Sequence, residues 1–263
     1  MTKKLKRTKN YVATLEIVTE GFLATPRDSQ RNWLLNRSLR ELGDELDYLD
    51  SRAPDFVAGG EPTDLMDRES AKLSDAEIME DWQIPVMEAM AATICTPQAD
   101  ILEIGFGRGV ASDFIQAHAV NSHTIIECNP SVLEACHGWR ADRPGQTIHI
   151  VEGLWQDTIP SLPQFDGIFF HTYPLSPEEY VATVAKSATF AEHFFEPAAQ
   201  HLVAGGALAY LTNEADSLSR AHQRALLKHF SSVQLSRLDA LPIKSDTRDS
   251  QWLDSMIIAR ATK

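Results

Sequence analysis

The spacing of apolar positions changes along the chain. Between Asn10 and Asp50, Trp33, Leu34, Leu39, Leu42, Leu46 and Leu49 recur at intervals close to three and four, as one helix face requires. Ala53 to Pro62 is rich in Pro, Gly and small residues and predicts a linker. Helical spacing returns from Ser74 to Cys95, with Ser74 as N-cap and Glu77 three residues on, a capping-box pattern. From Ala99 short apolar runs alternate with longer amphipathic segments. Strands are predicted at Asp100–Ile104, His123–Glu127, Thr147–Val151, Phe165–Phe170, Ala207–Thr212, Ser232–Ser236 and Ser255–Arg260. Helices are predicted to start near Gly107, Pro130, Pro177 and Ser217; Pro130 and Pro177 each follow a capping residue, Asn129 and Ser176, where a missing N–H costs nothing. Such alternation predicts an α/β fold, a mostly parallel sheet with helices on both faces, whose ligands bind beyond the carboxyl ends of the strands.

The expected organisation is therefore a basic tail and helical extension over residues 1–62, serving as a lid or a dimerisation arm, followed by an α/β domain over 63–263. The chain of 263 residues is long enough for one sizeable core. Its net charge of −13 would repel a nucleic-acid backbone. The basic tip (Lys3, Lys4, Lys6, Arg7, Lys9) predicts a tail; without it the balance is 19 basic against 37 acidic residues. Cys95, Cys128 and Cys136 form no CxxC pair, which points to a reducing, cytoplasmic setting without structural zinc. No apolar run approaches the roughly 18 residues of a membrane span, and no secretory signal pattern occurs.

The first strand of the α/β region runs into Glu103-Ile104-Gly105-Phe106-Gly107-Arg108-Gly109. Gly105, Gly107 and Gly109 let the backbone turn tightly and approach a ligand, and the turn opens a helix whose N–H groups suit a carboxylate. A dinucleotide fingerprint would need glycine at 110, where Val110 stands. Glu103 places a carboxylate inside the strand that would repel a pyrophosphate and welcome an ammonium group. The pairing favours S-adenosylmethionine over a nicotinamide cofactor. Glu127, 20 residues after Gly107 at the end of the second strand, is placed to accept both ribose hydroxyls, with Asn129 beside it at the helix start. Leu154 and Trp155 after the third strand would cover the adenine face, and Asp157 or a backbone group would meet its edge.

Several motifs occur in a telling order: Ile78-Met79-Glu80-Asp81-Trp82-Gln83-Ile84-Pro85, the glycine turn, Ile126-Glu127-Cys128-Asn129, Gly153-Leu154-Trp155-Gln156-Asp157, Phe165-Asp166-Gly167-Ile168 and Thr172-Tyr173-Pro174-Leu175. Over about Ile78 to Gly206 this series closely resembles guanidinoacetate N-methyltransferase and its relatives, the fungal-type arginine N-methyltransferases. The resemblance implies a Rossmann-like, seven-stranded class I methyltransferase sheet and S-adenosylmethionine as cofactor. It implies a helix near Met79 to Met87 closing over the sulfonium, with Met79 and Trp82 lining the cofactor, and Thr172 and Tyr173 on the active-site floor.

The chain departs from that pattern at two positions. Guanidine-methylating members carry carboxylates where this chain has Gln83 and His171. An imidazole with a pKa of about 6.5 can serve as base or orienter. Gln83 offers hydrogen bonds without charge. Together, with Tyr173 beside them, they suit a small molecule presenting a neutral or weakly basic nitrogen. The alternatives are methylation of a guanidino group, with the missing acids supplied by Asp216 or Glu214, and a cofactor-binding protein that transfers no methyl group. His118, His123, His222 and His229 are expected to be surface or packing residues, and no metal site is expected.

Overall fold

The computed structural model describes residues 68–263 apart from 177–178, 180–182, 184–186, 213, 215–217 and 243–255. The predicted Asn10–Asp50 helix, the Ala53–Pro62 linker and the lid or dimerisation arm therefore lie outside the described residues. The same holds for most of the helix expected near Pro177.

Capping and proline placement set the first elements. Ser74 and Glu77 form the reciprocal capping box, with Ser74 N–H donating to Glu77 Oε2 at 2.8 Å, at the start of helix α1 (Asp75–Ile78). The single helix expected from Ser74 to Cys95 is in fact broken. Met79 is extended (φ −160°, ψ 134°), and its carbonyl accepts from Arg108 Nη1 at 2.9 Å instead of from a helical N–H. A 3-10 turn at Asp81–Gln83 follows, and α2 (Ile84–Ile94) carries Pro85 as its second residue, where the missing N–H has no intrahelical partner to lose.

β1 (Asp100–Ile104), α3 (Val110–Ala117), β2 (Ser122–Glu127), α4 (Pro130–Ala141), β3 (Ile148–Glu152), α5 (Trp155–Thr158), β4 (Phe165–Phe170), α6 (Phe195–His201), β5 (Leu202–Thr212), α7 (Arg220–Leu227), β6 (Ser232–Leu238) and β7 (Met256–Thr262) complete the described elements. The seven strands make one sheet ordered β3-β2-β1-β4-β5-β7-β6. β1 to β5 are parallel, and β7 runs antiparallel between β5 and β6. The expected strands are all present. β5 starts earlier than expected, at Leu202, which pairs with Phe165 of β4; the register then shifts before Gly167↔Ala207, across a stretch that includes Gly205 at φ +81°.

The alternation of side chains splits the core in two. Leu102, Ile104, Ile168, Phe170, Leu208 and Tyr210 face α6 and α7, packing on Phe194, Phe195 and Leu226. Ile101, Phe169, Ala209 and Ile258 face α2 and α3, packing on Met87, Met90 and Ile115. Both faces of the parallel strands are covered, which leaves their carboxyl ends as the open rim.

Candidate functional site

At the rim, β1 ends in the glycine turn. Gly105 has φ +86°, and a Cβ there would sit 3.1 Å from the His171 carbonyl; Gly107 has φ +57°, with a Cβ 3.3 Å from Ile78 Cγ2. Side chains at either position would close the space over the turn. Gly109, also left-handed, is the N-cap of α3 and lies outside the cavity walls.

Two adjoining cavities open there and share Gly105, Glu127, Cys128, Thr172, Tyr173 and Leu175 in their walls. The first runs past the ends of β2 and β3 to Leu154, Trp155 and Phe190. The second lies over the glycine turn, with Met79, His171 and Arg68 among its walls and an empty volume of about 670 Å³. The structure thus brings together Met79, Gly105, Gly107, Glu127, Asn129, Leu154, Trp155, His171, Thr172 and Tyr173.

Glu127 ties the rim together. Its Oε2 accepts from Phe106 N–H at 2.9 Å, and its Oε1 accepts from Cys128 and Asn129 N–H at 2.8 and 2.9 Å. A carboxylate has about four lone-pair sites, so capacity for a ligand hydroxyl remains. Burial, followed by the Glu127 charge, pushes the neighbouring Cys128 thiol up to about 12, so it stays protonated. Trp155 meets Phe194 edge-on at 4.9 Å, which fixes the apolar wall.

Several expected site residues have other employment. Glu103, expected to meet an ammonium group, is fully buried and lines neither cavity. Its Oε2 accepts from Ser112 Oγ at 2.5 Å and lies 2.9 Å from His123 Nε2 without a hydrogen bond between them, while its Oε1 has no hydrogen-bond partner among the described residues. Asn129 does line the second cavity, but its side chain is committed. It caps α4 by accepting from Ser131 and Val132 N–H, and its Nδ2 donates to the carbonyls of Arg68 and Ala71, each at 2.8 Å. Asp157 is exposed on α5 and outside both walls. Trp82 is buried in the α2 core, with its indole N–H on Glu80 Oε2 at 2.7 Å. Glu214, a suggested substitute acid, is paired with His222 Nδ1 at 2.6 Å, and Asp216 is outside the described residues. His222 and His123 are buried, as packing residues would be.

Gln83 is also buried. Its Nε2 donates to the Tyr173 hydroxyl at 2.9 Å, and the Tyr173 ring meets His171 edge-on at 5.6 Å. The His171 imidazole departs from its expected ordinary pKa. Burial, and then the Arg68 cation, push it down to about 4, so it is neutral at neutral pH. A base that weak accepts a hydrogen bond readily and a full proton poorly. Arg68 and Glu179 in the walls were not foreseen from the sequence. Arg68 belongs to no motif. Glu179 had a readable signal: Ser176 and Glu179 follow the capping-box pattern, and Glu179 N–H donates to Ser176 Oγ at 3.2 Å. Among the described residues, no group of three His, Cys, Asp or Glu side chains is disposed to hold a metal. Nor is any described helix long and apolar enough to cross a membrane.

Comparisons with known proteins agree with this geometry. The family described as guanidinoacetate N-methyltransferase matches residues 63–259, a longer span than the quoted motifs cover. Protein arginine N-methyltransferase 2 of Saccharomyces cerevisiae is 37% identical over 108 residues, which are 36% of this chain and 26% of that protein. Its namesake from Yarrowia lipolytica is 34% identical over 109 residues, 36% of this chain and 22% of that protein. The match thus spans about a quarter of these relatives' length. A methyltransferase from Pyrococcus furiosus has the same fold, with a TM-score of 0.51 at 17% identity over 68% of this chain and 82% of that one. So does a methyltransferase complexed with SAH, with a TM-score of 0.51 at 12% identity over 70% of this chain and 50% of that one.

Proposed function

The chain belongs to the guanidinoacetate N-methyltransferase family of S-adenosylmethionine-dependent methyltransferases, and we propose that it methylates a neutral or weakly basic nitrogen of a small molecule. The walls fit the cofactor: Gly105 and Gly107 leave room over the turn, Glu127 offers a carboxylate to the ribose, and Leu154 and Trp155 offer an apolar face to the adenine. When bound, S-adenosylmethionine supplies a methyl carbon made electrophilic by its sulfonium.

The observation that carries the acceptor assignment is the pair of neutral groups at 83 and 171. A guanidinium cannot shed its charge. Leaving it unpaired in a desolvated pocket costs on the order of 3–5 kcal/mol. Gln83 is already engaged with Tyr173, and His171 is neutral beside a cation. A neutral N–H acceptor escapes the penalty. His171 then works as a positioning group: its imidazole accepts the acceptor's N–H and holds the nitrogen lone pair toward the cofactor end of the cavity. Met79 and Tyr173, the latter held by Gln83 from behind, form the wall beside that nitrogen.

A second reading, methylation of a guanidino group, is supported by the names of the family and of the yeast relatives. Incubating the protein with labelled cofactor and pooled metabolites, then searching by mass spectrometry for a product heavier by one methyl group, tests the proposal. A methylated neutral amine supports it, and a methylated guanidine supports the second reading. Failure to release S-adenosylhomocysteine with any pool would instead indicate a binding protein.

A further inference from the structure

Two carboxylates stand in the wall of the first cavity, Glu127 and Glu179, and the cofactor reading uses only Glu127. Glu179 is half-buried and lines this cavity but not the second. Its Oε2 accepts from Leu175 N–H at 2.7 Å, and its own N–H donates to Ser176 Oγ at 3.2 Å. These bonds anchor the carboxyl group on the loop after β4. No other hydrogen bond from the described residues reaches that carboxyl group, so most of its roughly four lone-pair sites are left for a ligand.

The carboxylate belongs to the aromatic end of the cavity. Trp155 and Phe190 line that end, and the His193 ring packs on both, with centroids 5.6 and 4.8 Å away. Burial lowers the His193 pKa, while the Phe190 carbonyl and then the Glu179 charge act in the opposite direction. Glu179 is thus within electrostatic reach of the ring that backs the aromatic wall. Asp157, the acid expected at the adenine edge, is exposed and outside the wall. Gln156 does line the cavity, but it is exposed, and an amide carries donors as well as an acceptor.

We propose that Glu179 sets cofactor specificity by accepting an N–H of the exocyclic 6-amino group of the adenine. The inference rests on the reading of this cavity as the adenine end of the cofactor site and adds the group that reads the adenine edge. Leu154 and Trp155 offer only a face, and packing on a face is nearly indifferent to which purine is bound. Selection therefore falls to the edge. A carboxylate has acceptors alone, so it favours a 6-amino group and opposes a 6-oxo group, whose oxygen would meet a negative charge. Gln156 could turn either its oxygen or its N–H toward the purine and would not separate the two. With Glu179 on the base and Glu127 on the ribose, the cofactor is held at two polar points.

The test titrates S-adenosylhomocysteine and S-inosylhomocysteine, its 6-oxo counterpart, into full-length wild type, Glu179→Ala and Glu179→Gln by calorimetry. Wild type should prefer the 6-amino ligand by about tenfold or more. Glu179→Ala should lose most of that preference, by weakening the 6-amino ligand and not the 6-oxo one. Glu179→Gln should also narrow it, because the new amide can donate to the 6-oxo group. Should Glu179→Ala fail to fold, Glu179→Gln supplies the comparison with a side chain of the same shape. A loop anchor without purine contact would weaken both ligands equally in the variants and leave their ratio unchanged. That result, or equal binding of the two ligands by wild type, overturns the inference while leaving the cofactor reading intact. Failure of wild type to bind S-adenosylhomocysteine at all overturns both.

Discussion

Gln83 and Tyr173, 90 positions apart, are joined by a hydrogen bond of 2.9 Å from the Gln83 amide to the phenol oxygen. The bond links the turn before α2 to the loop after β4, the two segments that carry the departures from the family's acidic pattern. The Gln83 side chain therefore lies behind the wall and supports Tyr173, which lines both cavities, and its exchange for glutamate would alter that support as well as the charge.

Tyr173→Phe should destabilise the protein by about 1–3 kcal/mol, because the buried Gln83 amide loses its named partner. Adding Gln83→Leu should recover part of that loss, since no amide is then left unpaired. Urea titrations of both variants check this. Additive losses would mean that the bond contributes little.

His171 makes stability depend on acidity with a definite sign. Its imidazole titrates at about 4 when folded, against an ordinary 6.5. Above the ordinary value neither folded nor unfolded chain holds the proton, so this residue adds no slope. As pH falls from 6.5 toward 4, the unfolded chain takes the proton first and stability declines. Below about 4 both states are protonated and the decline ends. His193, also lowered by burial, contributes in the same direction. His171→Gln should flatten part of the slope in denaturation midpoints measured from neutral pH to pH 4. An unchanged slope would contradict the lowered pKa of His171.

Glu127→Gln should weaken S-adenosylhomocysteine binding by roughly ten- to a hundredfold, as expected for losing hydrogen bonds to a charged acceptor. It should also lower thermal stability, because one oxygen that accepts backbone N–H becomes a donor. Calorimetry with S-adenosylhomocysteine measures the first effect and a melting curve the second. Reduced stability with unchanged affinity would make Glu127 a loop anchor alone.

Ser112→Ala separates a buried support from a cofactor contact. It removes the 2.5 Å hydrogen bond to fully buried Glu103, which should cost about 1–3 kcal/mol of stability. Affinity for S-adenosylhomocysteine should stay within the error of the measurement. A stable variant with weakened cofactor binding would restore Glu103 to the cofactor.

Much of the frame was legible because it depends on local rules. Alternating apolar runs marked the strands, and Asn129 and Pro130 marked the start of α4. The glycine turn and Glu127 placed the rim. What escaped depends on contacts distant in sequence. Nothing around Met79 announces that Arg108 will take its carbonyl and break the helix. Glu103 and Asn129 look like ligand-binding groups because both are polar at the right strand ends. Their neighbours, Ser112 and His123 for one and the Arg68 and Ala71 carbonyls for the other, come from elements packed against them. The His171 pKa likewise follows from burial and from Arg68, 103 residues earlier, rather than from its own neighbours in sequence.

The proposed reading keeps the family's cofactor and places Gln83 and His171 where guanidine-methylating members carry carboxylates. The direct measurement offers guanidinoacetate, arginine and a pool of neutral amines separately to the full-length protein with methyl-labelled S-adenosylmethionine, and counts label transferred to each. Label is expected in a product from the amine pool, with slow or no transfer to either guanidine. Rapid methylation of guanidinoacetate or arginine would contradict it.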